Sequence, residues 1–85
     1  MITINKLKPS ECGVVLSISI RGALRRRIID MGITPGAFIK LNRTAPFGDP
    51  IEITIRGYNL SIRKAEAREI IVKKISKSEY EESAC

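Results

Sequence analysis

The densest chemistry in this sequence is the run Arg25-Arg26-Arg27, with Arg21 shortly before it. Guanidinium groups form paired hydrogen bonds to carboxylates and shed their hydration more readily than ammonium groups, so such a cluster suits docking on an acidic patch. The same residues read equally as a solvated helix face, with Arg27 laying its methylene stem along the core. Nucleophilic, acid-base and metal chemistry have far less to work with. There is no histidine, which removes the commonest transition-metal ligand and the usual general base. Cys12 and Cys85 stand almost at opposite ends, and neither belongs to a short-spaced pair. Asp49, Glu52, Glu66 and Glu69 lack convergent spacing, and no glycine-rich phosphate loop or nucleophile beside a base is present. An enzyme, a bound cofactor and a metal site within one chain are therefore not expected. A metal site shared between chains is left open.

A second candidate is the loop Ala45-Pro-Phe-Gly-Asp-Pro50. Its prolines stiffen it, so Phe47, flanked by Pro46 and Asp49, could present an apolar anchor at small entropic cost. The alternative is that Phe47 folds back over the mouth of the core. Charge adds a broader constraint. Residues 1–75 hold 14 basic and 6 acidic side chains, leaving +8, while residues 76–85 hold 1 and 3, leaving −2. The total of +6 favours an acidic partner: nucleic acid, an anionic membrane leaflet or an acidic protein surface. Aromatic content of 5% leaves few stacking platforms, so nucleic acid is not the expected partner. An aromatic-paved groove of the eukaryotic peptide-binding kind is likewise absent from the sequence.

The elements that must position these groups fit one domain of 85 residues. No apolar run approaches a membrane span and no secretory signal is evident, so the chain is expected to be cytoplasmic, peripheral to a membrane at most. Val14, Leu16, Ile18 and Ile20 alternate with Val15, Ser17 and Ser19 as in a strand. Leu24, Ile28 and Met31 then form one stripe of a short helix, with Gly32 suited to a left-handed cap and Pro35 preventing continuation. Strands follow around Ile39 and Leu41, over Ile51 to Ile55, over Tyr58 to Ile62 and over Ile70 to Val72; Arg56-Gly57 marks a hairpin turn. Lys64 to Glu69 holds a turn or two of helix. The pattern predicts an all-β fold with one or two short helices over residues 1–75; an SH3-like and an OB-type barrel both satisfy the count, and the length and meander of short strands favour an SH3-like small barrel of five to six strands. Closure of that barrel would remove exposed strand edges. Residues 76–85 are expected to be a disordered tail.

Three motifs, Leu24-Arg-Arg-Arg-Ile-Ile-Asp-Met-Gly-Ile-Thr-Pro-Gly36, Arg43-Thr-Ala-Pro-Phe-Gly-Asp-Pro-Ile51 and Arg56-Gly-Tyr-Asn-Leu-Ser-Ile-Arg-Lys-Ala-Glu-Ala67, resemble the FeoA family in order and residue type. The similarity covers roughly residues 5 to 74. It implies an SH3-like barrel serving as a small cytoplasmic accessory of FeoB, the membrane transporter of ferrous iron, with no catalysis of its own. Arg21, Arg25, Arg26, Pro46, Phe47 and Asp49 are the residues expected to touch that partner. A basic nucleic-acid-binding barrel, or the related module of metal-dependent repressors, is the alternative use of such a fold. Weak self-association is left open.

Overall fold

The computed structural model describes residues 1–84. Its strands are β1 (Ile2–Thr3), β2 (Cys12–Ile18), β3 (Phe38–Thr44), β4 (Ile51–Ile55), β5 (Tyr58–Ile62) and β6 (Ile70–Ile75), and its helices are α1 (Ala23–Asp30), α2 (Lys64–Ala67) and α3 (Lys77–Ala84). The strands form one antiparallel sheet in the order β1-β6-β2-β3-β4-β5. Isoleucine dictates the arrangement. In β4, Ile51, Ile53 and Ile55 are buried while Glu52 and Thr54 face outward, the alternation a half-buried strand requires. With Ile39, Leu41, Ile62, Ile70 and Val72 they build the interior that the sheet curls around.

Strand β2 differs from its sequence pattern. Val15 and Ile18 are buried, whereas Leu16 is exposed. A register shift between Val15 and Ser17 in the pairing with β6 inserts an extra residue, a bulge that flips the later part of the strand to the other phase.

Helix α1 sets Ile28 in the core, with Leu24 and Met31 packed against it. It ends as the glycine signal predicts. Gly32 has φ +95°, its N–H donates to the Ile29 carbonyl at 2.9 Å, and the Ile33 N–H donates to the Ile28 carbonyl at 3.3 Å. These are the two bonds of a Schellman cap, and the accompanying apolar contact is supplied by fully buried Ile28 and Ile33. The β4–β5 hairpin turns on Arg56 and Gly57, both at positive φ. Arg56 is held there by bonds from Nε to the Gly32 carbonyl (3.3 Å) and from Nη2 to Thr34 Oγ1 (3.1 Å). The hairpin tip is thereby fastened to the end of α1.

The all-β barrel of six strands forms as expected, with two departures in detail. Its seam is not sealed by hydrogen bonds, because no ladder joins β1 to β5 among the described residues. β1 is only two residues long before Ile4 to Lys6 turn into a short 3₁₀ segment, so it offers too little backbone to seal the seam. The expected disordered tail also does more than trail: over the described residues 76–84, α3 occupies Lys77–Ala84 and packs on β2 and β3. Ser76 Oγ accepts from the Glu79 N–H at 3.1 Å, so Ser76 and Glu79 start the helix as an N-cap pair. Cys85 lies outside the described residues.

Candidate docking surface

At about 100° per residue, the stripe Leu24-Ile28-Met31 divides the arginines of α1 between two flanks. Arg25 and Arg26 lie on one side with Gly22 and Ile29, and these four line an open cleft of about 320 Å³. Arg27 lies on the other. Their roles differ. Arg25 is half-buried, and its Nη1 donates to the Ile18 carbonyl at 2.9 Å, tying the helix to the end of β2. Arg21 and Arg26 are exposed.

The Ala45–Pro50 loop is braced by its own backbone: the Gly48 N–H donates to the Ala45 carbonyl (2.7 Å) and the Ala45 N–H to the Pro50 carbonyl (3.0 Å). Phe47 is 97% exposed at its tip, so it is presented outward rather than folded over the core. Asp49 is exposed but has a structural task, its Oδ1 accepting the Lys64 N–H at the first turn of α2 (3.1 Å). The expected contact residues therefore do not converge on one spot. Arg25 and Arg26 line one cleft and Pro46 another, whereas their neighbours Arg27 and Pro50 share a third.

That shared cleft, about 350 Å³, is walled by Arg27, Pro50, Ser61, Ile62, Arg63 and Glu66. A second cleft of about 300 Å³, lined by Arg43, Thr44, Ala45, Pro46, Pro50, Glu52 and Ser61, adjoins it through Pro50 and Ser61. Glu66 is the buried charged residue at this site, 3% exposed. Its Oε1 accepts the Arg63 N–H at 2.8 Å, and its Oε2 lies 3.3 Å from Arg27 Nε. Oε2 makes no hydrogen bond, so the Arg27 contact is a charge pair without hydrogen-bond geometry. The sequence reading passed over this arrangement. Its signal was the Arg63-x-x-Glu66 spacing, the glutamate half of a capping box whose first residue cannot act as acceptor.

Elsewhere the titratable groups are tied to structure. The Lys74 ammonium and the Lys8 N–H hold the Glu11 carboxyl below its ordinary range. Burial pushes the Cys12 thiol up, and burial followed by the nearby Cys12 raises Tyr80 on α3. Among the described residues no three of Cys, Asp and Glu gather as metal ligands. No helix among them is long and apolar enough to cross a membrane.

An isoleucine-cored antiparallel sheet of this size, curled and capped by a short basic helix, defines a small SH3-like barrel domain. Comparison narrows the class to a lineage. The FeoA domain profile matches residues 2–74, and the chain belongs to the FeoA family. It is 34% identical over 73 residues to a Fe(2+) transport protein A/Fe(2+) transporter FeoB fusion protein of Porphyromonas gingivalis, covering 86% of this chain and 9% of that one. Among solved structures, a FeoA-like protein from Clostridium acetobutylicum superposes with a TM-score of 0.83 at 39% identity, over 89% of this chain and 88% of the other. FeoA of Stenotrophomonas maltophilia, described as a prokaryotic SH3 domain protein, shares the fold with a TM-score of 0.74 at 22% identity, over 86% and 91% of the two chains.

Proposed function

We propose that this chain is a non-catalytic cytoplasmic accessory of ferrous iron uptake that docks on the cytoplasmic part of a FeoB-type transporter. One observation carries the reading: in the Porphyromonas gingivalis relative, a segment 34% identical to this chain is joined to FeoB in one polypeptide. Tethering of that kind keeps two domains at millimolar effective concentration, which is useful when they work in contact. The charge distribution supports it. A body of +8 is drawn to acidic protein surfaces and favours residence near an anionic leaflet. Phe47, 97% exposed on a braced loop, is the kind of rigid aromatic anchor that carries binding energy at interfaces.

The test is calorimetric titration of the cytoplasmic domain of a FeoB-type transporter. Phe47→Ala is expected to weaken binding about tenfold or more, and Arg21→Glu with Arg26→Glu to weaken it and flatten its salt dependence. Undetectable binding by the unmodified chain, or binding indifferent to all three changes, would refute the proposal.

A further inference from the structure

Among the described residues, the outer edge of β5 has no neighbouring strand. A two-residue turn joins β4 to β5, so the flanking pair Ile55 and Tyr58 exchange ladder bonds, as do Ile53 with Leu60 and Ile51 with Ile62. The N–H and C=O groups of Asn59 and Ser61 consequently point away from β4. Nothing blunts this edge: Tyr58–Ile62 contains no proline, no lysine and no bulge, the devices by which exposed strands usually avoid company.

The two clefts that meet at Pro50 and Ser61 lie at the Ser61 end of this edge. Their walls are basic. Arg27, Arg43 and Arg63 face two carboxylates, and both carboxylates are engaged, Glu66 with Arg27 at 3.3 Å and Glu52 with Arg43 at 3.5 Å. Arg63 is exposed and makes no ion pair among the described residues, and the Lys64 ammonium leans over the loop beside Gly48.

We infer that the β5 edge receives an extended acidic segment of a partner protein as an added strand, a reading that deepens the docking proposal and rests on it. The partner backbone pairs with Asn59 and Ser61. Side chains of an added strand alternate, so those on the face of Ser61 and Arg63 meet the cations and are carboxylates, while those on the other face lie beside half-buried Leu60 and exposed Tyr58 and are apolar. Charge gives no reason to choose a second copy of this chain, whose own β5, Tyr58–Ile62, carries no carboxylate to meet these cations. Nucleic acid lacks the alternating donors and acceptors that a strand edge needs.

The experiment uses the full chain, isotope-labelled, with a short synthetic peptide alternating glutamate with valine, a lysine-for-glutamate counterpart, and a version N-methylated at every second residue. The parent peptide is expected to shift the Asn59 and Ser61 amides. Lysine replacement abolishes that shift, and N-methylation weakens binding at least roughly tenfold because it removes the inter-strand donors while keeping the charge. Ser61→Pro, which deletes an N–H unused by the ladder, and Arg63→Glu should each weaken the parent peptide to a similar degree. Equal binding of the N-methylated peptide, or shifts confined to Arg21 and Arg26, overturns the inference. A titration with the transporter domain separates the two levels: binding with a footprint away from β5 defeats the strand-addition idea alone, whereas peptide binding at β5 without transporter binding defeats the docking reading alone.

Discussion

Removing the buried carboxylate of Glu66 should separate two interactions that reach it from opposite sides. Oε1 accepts the Arg63 N–H at 2.8 Å, a bond to a charged acceptor in a site 3% exposed. Bonds of that type contribute about 1.5–3 kcal/mol. Oε2 pairs with Arg27 at 3.3 Å, but the Arg27 side chain is 68% exposed, so solvent screening holds this contact to about 0–1 kcal/mol. Glu66→Gln keeps an acceptor for Arg63 and forfeits only the charge pair; Glu66→Ala forfeits both. For a domain of this size 1 kcal/mol moves the melting temperature by about 4–8 °C. Calorimetry should therefore find Glu66→Gln lowered by no more than about 8 °C and Glu66→Ala, which loses about 1.5–4 kcal/mol in all, by about 6–32 °C. In a double-mutant cycle Arg27→Ala should couple to Glu66→Gln by less than about 1 kcal/mol. Equal effects of Gln and Ala, or a coupling of 3 kcal/mol, would show that the charge pair rather than the backbone bond holds α2 in place.

Arg25→Glu should lower the melting temperature by several degrees, since it breaks the bond to the Ile18 carbonyl, while Arg26→Glu leaves it unchanged; equal effects would contradict the division of roles along α1. Ile53→Ala, at a fully buried position, should cost about 2–5 kcal/mol in chemical denaturation, and an unchanged midpoint would place Ile53 outside the interior. Glu11 is lowered in the folded state, so its stabilisation is complete above its ordinary value of 4.5 and is lost as pH falls through the depressed folded value. The stability gap between wild type and Glu11→Gln should accordingly be present at pH 7 and vanish in strong acid; a gap that widened on acidification would reverse the sign. Truncation after Ile75 should expose Cys12, buried beneath the region where α3 packs, and speed its alkylation many-fold relative to a full-length Cys85→Ser chain. Equal alkylation rates would show that α3 does not shield it.

How much was legible follows from the range of each interaction. Regular alternation in Ile51–Ile55 and the glycine at Gly32 determine local structure by themselves, so β4, its hairpin and the cap of α1 could be read directly. The bulge at Leu16 could not, because it depends on the register adopted against β6, far along the chain. The α3 helix was legible in principle: Ser76 and Glu79 have N-cap spacing, but a polar composition outweighed that local signal. At the candidate site the arginine run was visible, yet which arginines are occupied was not. Arg25 is committed to a carbonyl on another element and Arg27 to a carboxylate from α2, contacts that only tertiary structure creates.

That commitment alters what the net charge means. Of the basic side chains, Arg25, Arg27, Arg43, Arg56 and Lys74 all have partners within the chain. The formal +6 is therefore not spread over a uniformly available surface. A groove that tracks phosphates needs a continuous row of unengaged cations with aromatic platforms between them. Here the Tyr58 hydroxyl is aimed at the Met31 carbonyl at 3.5 Å, and Phe47 stands apart on its loop. An extended acidic peptide makes smaller demands. It needs a strand edge with unsatisfied backbone groups and a few cations at alternate positions, and β5 with Arg63 beside it provides both. The same sheet geometry that leaves the seam unsealed thus makes this edge a selective surface, since backbone pairing demands an extended partner and the flanking arginines demand that it be acidic.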